Sequence, residues 1–420
     1  MKTPRKQLQG KRRVVVLGGA GAMGRITVKD LFETAPPDFE ILIADYNVAA
    51  GRSLARSYRR ERVQAAAADV TNVHATARLL SGAFAVINAV KYQHNIKVMR
   101  AALDAGAHYL DLGGLFHVTR EQLKLDRDFK RQGLLALLGM GAAPGIVNLL
   151  AASAADTMER VHEIHIQVAG LDAAFQVPEV QTSERTRRPL ATSYSLETVL
   201  DESTLPAAVY RQGRFRFVPP MSGEIEVHFP APVGLRRPVY TLHSEVATLP
   251  LSYKHKGIKE VSFRIAFDED LDEELRFLHA LGISSTTPLK LGKAFVVPRD
   301  FLLALLKRMK PPPPAPLPET SYEVLRAVVR GEREKRPVQE VVDCHVSGLP
   351  AWGMGIDIDT GCPPSIAVQL LARGELSARG VLPPERAVPP EPFFRELATR
   401  GMTVLRQTTP LHEQSVGNAT

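Results

Sequence analysis

A chain of 420 residues that is 45% hydrophobic and 23% charged holds enough apolar material for two or three packed domains, which excludes a disordered or low-complexity protein. The formal charge of +8 is concentrated in residues 1–13, where Lys2, Arg5, Lys6, Lys11, Arg12 and Arg13 stand without an acid, so the remainder is near +2 and offers no broad basic face to nucleic acid. No apolar run approaches the ~20 residues of a membrane span, no secretory signal follows the basic start, and Cys344 and Cys362 make neither a disulfide framework nor a metal-ligand spacing, so a cytoplasmic, reducing compartment with no membrane partner is expected.

The first strand is expected over residues 14–17, four apolar residues that run into Gly18-Gly19-Ala20-Gly21-Ala22-Met23-Gly24. Gly19, Gly21 and Gly24 have the Gly-x-Gly-x-x-Gly spacing. The first allows a tight turn, the second lets the backbone approach a pyrophosphate, and the third lets a helix pack close to the strand. A helix over 25–33 then directs free N–H groups and its positive end at the phosphates. A second strand over 41–45 ends in Asp45, 21 residues beyond Gly24, where a carboxylate accepts hydrogen bonds from an adenosine ribose. That carboxylate repels a 2′-phosphate, so NAD is favoured and NADP is the alternative. Arg52 and Arg56, on a helix over 49–60, read as a solvated face.

The alternation continues with strands over 63–69, 84–90, 108–112 and 134–140 and helices over 73–80, 95–105 and 121–131. Six apolar strands separated by amphipathic helices imply an α/β, doubly wound parallel sheet covered on both faces. Ligands of such sheets lie beyond the carboxyl ends of the strands, which selects the loops 69–72, 88–95, 111–117 and 139–148. Asp69, with Val70, faces the adenine amine or is a plain helix N-cap. Asn88 and Ala89 are expected beside the nicotinamide ribose, with Lys91, Tyr92 and His94 at the substrate end. Asp111 ends a buried strand beside Gly113 and Gly114, where a carboxylate is costly unless it is hydrogen-bonded or functional. Gly141 and Pro144, among small residues, permit close approach to the nicotinamide or simply relieve a crowded domain junction.

Near residue 151 the pattern changes. Residues 161–168 alternate in part, and strand-like pieces follow over 214–218, 224–228, 239–243 and 259–267 with few long helices, as in an α+β domain with a largely antiparallel sheet. His243-Ser244-Glu245, with Thr248 and Pro250, is read as a strand end. A His and a Glu one residue apart suit acid/base work or a substrate amine, and a surface contact is the plainer reading. The clusters Arg185, Arg187, Arg188 and Lys254, His255, Lys256 either grip substrate carboxylates or form solvated loops. A helix over 301–310, an extended proline-rich connector over 311–318, strands over 322–330 and 338–346 and a helix over 366–373 complete the reading.

On these residues the chain resembles the saccharopine dehydrogenase family, which includes L-lysine 6-dehydrogenases and carboxynorspermidine dehydrogenases. The carriers are the glycine loop, Leu110-Asp111-Leu112-Gly113-Gly114 and Gly141-Ala142-Ala143-Pro144-Gly145-Ile146-Val147-Asn148. Further along they are Tyr194-Ser195, Val218-Pro219-Pro220, His243-Ser244-Glu245-x-x-Thr248-Leu249-Pro250, Thr360-Gly361-x-Pro363-Pro364-Ser365-Ile366, Gly380-Val381-Leu382-Pro383-Pro384-Glu385 and Pro392-Phe393-Phe394.

Composition sets off a basic, disordered tail over 1–13, and the resemblance implies a nucleotide domain over 14–150, a substrate and dimerisation domain over 151–350, and a segment over 351–405 returning to the first domain. It implies a homodimer and NAD(P)-linked hydride transfer at a C–N bond of an amino-acid substrate. Asp45, Tyr92-Gln93 and the Asp111 loop resemble the NAD-using, lysine 6-dehydrogenase-like branch. Asp111, Tyr92, Lys91 and His243 are the expected catalytic candidates. Gly113, Gly114, Tyr194, Ser244, Glu245 and Thr248 are the expected substrate contacts. Ala20, Ala22 and Met23 join the three loop glycines, Asp45, Asp69, Val70, Asn88, Ala89, Gly141 and Pro144 around the cofactor. An NADPH-dependent saccharopine reductase and a non-catalytic nucleotide sensor are the competing readings.

Overall fold

Four consecutive apolar residues with no exposed surface, Val14 to Leu17, need cover on both faces of their sheet, and the chain supplies it with helices on each side. Burial of side chains of this size stabilises by roughly 1.5–3 kcal/mol each. The computed structural model describes residues 11–58, 61–171, 190, 195–308 and 321–411, which divide into two units. The first comprises the chain up to Gly114, Arg120–Gly141 and Thr360–Pro383. Its sheet has seven strands in the spatial order Gly380–Leu382, Leu135–Leu137, His108–Asp111, Ala85–Asn88, Arg12–Leu17, Phe39–Asp45, Val63–Ala67. All are parallel. Order reverses between Arg12–Leu17 and Ala85–Asn88, which makes a switch point at their carboxyl ends. Register places Asp111 opposite Asn88, Asn88 opposite Leu17 and Leu17 opposite Ala44, so one row along that edge holds the polar ends of two strands and leads to Asp45.

Three strands stop earlier than their apolar runs. They are Val63–Ala67, Ala85–Asn88 and Leu135–Leu137, which leaves Asp69, Val70, Ala89 and Gly141 in loops. The helix expected over 121–131 is in fact Leu115–Gln122, a short 3₁₀ turn and Asp126–Arg131. The seventh strand was not anticipated, because Gly380–Leu382 is too short to carry a periodic signal. Its start is held by the Val381 N–H on Asp126 Oδ1 at 3.0 Å. The returning segment sits on helix Ala22–Thr34, where Thr27 Oγ1 donates to the Gly361 carbonyl at 2.7 Å. A Cβ at Gly361 would lie 2.4 Å from Ile26 Cβ, so only glycine allows this approach.

The second unit comprises Leu115–Thr119, Ala142–Asp359 and the chain from Pro384. The part of the C-terminal segment within the first unit is thus Thr360–Pro383, shorter than the 351–405 read from the sequence. Its sheet runs Thr403–Pro410, Arg336–Val346, Tyr322–Arg333, Arg160–Leu171, Glu260–Ala266, Ala207–Arg211, Arg214–Val218, with Val239–Tyr240 also on Glu260–Ala266. Arg160–Leu171 and Glu260–Ala266 pair in parallel and the other neighbours are antiparallel, so the sheet is mixed. Tyr322–Arg333 turns into Arg336–Val346 through Glu334 and Lys335, with φ of 51° and 60°, the primed hairpin geometry that matches strand twist.

Helices are more prominent here than expected: Ile146–Ala155, Leu196–Thr204, Glu245–Tyr253, Glu269–Ala280 and Pro298–Arg308 all form. The most consequential is Glu245–Tyr253, where a strand end was expected. Val246, Leu249 and Tyr253 recur at helical spacing and are buried, which outweighs the Pro250 inside the helix. The strands expected over 224–228 and 239–243 shrink to Val227–His228 and Val239–Tyr240, so His243 lies in the connection before that helix. Tyr194, the arginines 185, 187 and 188, and the prolines 311–318 lie outside the described residues. No helix among the described residues is long and apolar enough to cross a membrane.

Candidate functional site

The glycine loop of the first unit leaves the sheet through Gly18, with φ of +71°, so the left-handed turn falls there rather than at Gly19. Helix Ala22–Thr34 opens at Gly21 with no side-chain cap and no acidic residue in its first turn, which leaves the positive helix end to an outside anion. A Cβ at Gly24 would stand 2.1 Å from the Gly18 carbonyl oxygen, so the helix start abuts the loop backbone. Asp45 is buried and joins the loop directly. Its Oδ2 accepts from the Ala20 N–H at 3.0 Å and its Oδ1 from the Asn47 N–H at 2.9 Å. A cradle that a Cβ would fill, an uncapped helix start and a carboxylate at the second strand's end fit a dinucleotide. Gly19, Ala20, Gly21, Ala22, Met23 and Gly24 would hold its phosphates and Asp45 its adenosine ribose.

Asn88 adds an orphan. Its Nδ2 donates to Asn95 Oδ1 at 2.9 Å and to Tyr109 Oη at 3.3 Å, while its buried Oδ1 has no hydrogen-bond partner. It lies next to Ala89, against which Gly18 packs, at the switch point. A buried carbonyl oxygen left unpaired is expensive, and a ligand hydroxyl or amide at this edge would complete it.

Asp111 proves to be the hub of this edge. Oδ2 accepts from Gln122 Nε2 at 2.5 Å, Tyr109 Oη at 2.8 Å and Asn95 Nδ2 at 3.1 Å, and Oδ1 from the N–H groups of Gly139 at 2.6 Å and Gly113 at 3.0 Å. Burial pushes its pKa up, against the pull of the donors from Gly139, Gln122, Tyr109 and Gly113. Burial, then the adjoining Asp111, raises the Tyr109 phenol well above its usual range. The carboxylate's lone pairs are occupied, so its evident work is to tie the 113 and 139 loops to the strand ends. Lys91 and Tyr92 lie where that edge meets the short 3₁₀ turn Tyr92–His94, Lys91 exposed and Tyr92 half-buried. His94 is pulled down by burial, then by Lys97 and Lys91.

Two other expectations change. The N-cap before helix Val73–Leu80 is Asn72, whose Oδ1 accepts from the Ala75 N–H, and Asp69 instead folds onto the Thr71 N–H and hydroxyl. Val70 packs against the apolar core of the first unit. In the basic run 254–256, Lys256 Nζ donates to the carbonyls of Ala155, Asp156 and Met158, so it caps the end of helix Ile146–Ala155 rather than binding an anion.

In the second unit His243 is buried between two carboxylates. Its Nε2 lies 3.7 Å from Glu202 Oε1 and its Nδ1 3.5 Å from Glu245 Oε2. The ring stacks on Phe263 with centroids 3.6 Å apart. Burial alone would lower the imidazole's pKa, but Glu202 and then Glu245 overcome it and raise it to about 9. His243 therefore enters neutral solution as the acid form, not as a ready base. Because its folded pKa exceeds the ordinary 6.5, the stability it contributes is fully present below about 6.5 and is lost as pH rises through about 9. The melting temperature of the wild type relative to His243→Gln should fall steadily over that window, by the equivalent of roughly 3 kcal/mol. A difference that stays constant with pH would refute it.

One helical turn further, Glu385 gathers Asn148 Nδ2 at 2.9 Å, Ser252 Oγ at 2.9 Å and the Thr248 hydroxyl. Burial raises its pKa and these donors oppose the rise. Asn148 Oδ1 accepts the Gly145 N–H at 3.0 Å, so Glu385 supports the loop that carries Pro144. Ser244 Oγ accepts from Thr119 Oγ1 at 3.2 Å. Glu202, Glu385, Asn95, Gln122 and Tyr109 were not expected as site residues from the sequence, Glu385 entering there only as part of a family motif. Each is an ordinary polar residue there; Tyr109, Asn95 and Gln122 meet Asp111 from 2, 16 and 11 residues away, whereas Glu385 meets Asn148 from 237 residues away. Among the described residues no cluster of His, Cys, Asp and Glu could hold a metal ion.

Comparison with known proteins agrees with this arrangement. The saccharopine dehydrogenase NADP binding domain matches residues 14–137 and the saccharopine dehydrogenase C-terminal domain matches residues 141–402. The chain is 27% identical over 406 residues to a carboxyaminopropylagmatine dehydrogenase of Synechocystis sp., covering 92% of this chain and 96% of that protein. It is 23% identical over 416 residues to a carboxynorspermidine synthase of Vibrio cholerae, covering 91% and 94%. The apo saccharopine dehydrogenase (L-Glu forming) of Saccharomyces cerevisiae superposes with a TM-score of 0.66 over 95% of this chain and all of that one; at 16% identity the likeness is one of fold.

Proposed function

The chain belongs to the saccharopine dehydrogenase family of nicotinamide-dependent oxidoreductases, and from that premise we propose that it acts on the C–N bond of an adduct between an amino-acid aldehyde and a cationic amine. The observation that carries the proposal is the match along 92% of the chain to a carboxyaminopropylagmatine dehydrogenase, beside a glycine loop and Asp45 arranged for a dinucleotide. When bound, the cofactor supplies or takes the hydride, and the substrate passes between amine and imine. The protein's own part is to hold the cofactor at the carboxyl edge of the first sheet, keep the Asp111 loops in place and manage a proton on the substrate nitrogen. Tyr92, Lys91 and His243 are the candidates for that proton. His243, held protonated, suits the donor role during C–N cleavage. Lysine and saccharopine remain alternative substrates under this reading.

NAD is the proposed cofactor, on the strength of Asp45. A purified sample should be assayed for cofactor reduction with NAD and NADP against carboxyaminopropylagmatine, carboxynorspermidine, saccharopine and lysine, and for the reverse reaction. Turnover of a carboxyaminopropyl amine with NAD is the expected result. Turnover of saccharopine alone, with NADP preferred, would move the protein to the reductase reading, and no turnover on any amine would defeat the proposal. In the same assay Asp45→Ser should cut kcat/KM with NAD by roughly 10–100-fold and narrow the preference over NADP. It removes both the ribose acceptor and the bond that holds Ala20, whereas the repulsion of a 2′-phosphate disappears.

A further inference from the structure

Of the thirteen large apolar side chains that stand exposed among the described residues, seven fall in the stretch 277–305 of the second unit, each 44–72% exposed. Single exposed apolar side chains are ordinary, and such a concentration in one stretch is not. Its centre is a hairpin, Leu289–Leu291 with Ala294–Val296, which forms a two-stranded sheet of its own and turns at Gly292, where φ is +62°. Arg299 closes the base of this arm: its N–H donates to the Ser285 carbonyl at 3.1 Å and its Nε to the Ser284 carbonyl at 2.8 Å. Every residue from Thr286 to Phe295 is exposed. Leu291 lies opposite Ala294 on one face and Phe295 opposite Lys290 on the other, so both faces of the hairpin are bare. A lone two-stranded hairpin is marginal in water, and an apolar one with open edges invites pairing with another chain.

The arm joins two helices that are firmly held. Helices Glu269–Ala280 and Pro298–Arg308 pack Leu271, Leu275 and Leu306 into one apolar cluster, and Glu274 Oε2 accepts the Leu190 N–H at 2.7 Å. Phe277 on the first helix, and Phe301 and Leu305 on the second, are left outside that cluster. At about 150–200 Å² per side chain, the seven exposed fractions amount to roughly 600–800 Å² of apolar surface. The largest patch of a typical monomer is about 300–600 Å², and each partner in a stable complex buries about 800 Å². The charge around this surface is divided. Residues 268–280 carry six acids against Arg276 alone, with Glu269 and Glu273 exposed. Residues 286–308 expose Lys290, Lys293, Lys307 and Arg308 against Asp300, and their remaining cation, Arg299, is buried and paired with Asp201. A surface that is acidic at one end and basic at the other becomes its own complement when turned over by a two-fold axis.

We propose that this arm, with the outer sides of the two helices, is the docking surface for a second copy of the chain. In the dimer the cationic arm of one protomer lies along the acidic helix of its partner, and Leu289, Leu291 and Phe295 are covered. The partner supplies the cover that the hairpin lacks among the described residues. No motif that carries the family resemblance lies between Pro250 and Thr360, and the proposal is independent of the reaction proposed above.

Sedimentation velocity on the full chain tests it. The wild type should sediment at twice the chain mass of 46.0 kDa at about 10 µM. Leu291→Asp combined with Phe295→Asp alters only exposed side chains and should raise the dimer dissociation constant roughly 100-fold or more. Lys290→Glu with Lys293→Glu should weaken the dimer about tenfold, and adding Glu269→Lys with Glu273→Lys should restore it. A wild type that stays monomeric at about 100 µM overturns the proposal. So does an apolar double variant that dimerises as tightly as the wild type. Loss on charge reversal without rescue refutes the placing of arm against helix. Amide hydrogen exchange separates a second copy from a cover supplied by the chain itself: protection over 289–296 should fall on dilution. Protection that is independent of concentration and disappears when residues 311–318 are deleted would assign the surface to that segment and overturn the proposal.

Discussion

Asp111→Ala is expected to destabilise the first unit by about 4 kcal/mol, at the upper end of what single substitutions do. The substitution removes the acceptor for five donors at once: Gln122, Tyr109 and Asn95 side chains and the N–H groups of Gly113 and Gly139. Each buried donor left unpaired costs about 1–3 kcal/mol, and Tyr109, Gln122 and Asn95 recover part of the loss by bonding one another. The backbone N–H groups of Gly113 and Gly139 have no such freedom, so the two loops at the carboxyl edge loosen. Urea denaturation should report the loss as a lower midpoint, and kcat/KM should fall with it.

Asp111→Asn separates the two roles the residue could have. A general base would lose turnover with little change in stability. A positioning residue would lose stability in step with activity, because the asparagine amide turns a donor toward donors. The five donors gathered on its two oxygens predict the second pattern. A stable, inactive Asp111→Asn would reverse that assignment.

Gly24→Ala is expected to weaken dinucleotide binding by roughly 100-fold or more. The new Cβ would lie 2.1 Å from the Gly18 oxygen, 2.7 Å from Gly19 Cα and 2.8 Å from the Gly18 carbonyl carbon. All three are backbone atoms and none can rotate away. Either the helix start moves outward or the loop distorts, and both displace the amides that face the phosphates. Overpacking of this kind also costs about 1–3 kcal/mol in stability. Gly21→Ala is the contrast, since its Cβ meets only the Gly18 oxygen at 3.1 Å. Quenching of protein fluorescence by NADH measures both variants. Equal affinity in wild type and Gly24→Ala would mean that the loop does not hold the cofactor.

The first unit was largely legible because its information is local. Val14 to Leu17 followed by the glycines, and Asp45 at the end of the next apolar run, announce strand, turn, helix and strand within one continuous stretch. The helices Val73–Leu80 and Asn95–Ala105 fall on their expected residues because each has one apolar face and a clear stop, Gly106 with φ of +69° in the second case. The second unit was harder. Its strands pair across more than a hundred residues, as Arg160–Leu171 does with Tyr322–Arg333, and its helix Glu245–Tyr253 contains a proline that argues locally against a helix.

The sequence by itself determined the nucleotide half, the family and the identity of most polar residues at the strand ends, because glycine spacing, apolar runs and the ends of strands are properties of neighbouring residues. Tertiary structure decided what those residues do. Register alone sets Asp111 beside Asn88, and folding alone brings Gln122 and Gly139 onto its oxygens. Only the packed second unit shows that Glu202, 41 residues upstream, meets His243, and that Glu385 meets Asn148. The physical reason is that a hydrogen bond or an ion pair depends on distance in space, and a polar residue carries no sign in the sequence of which distant partner will satisfy it.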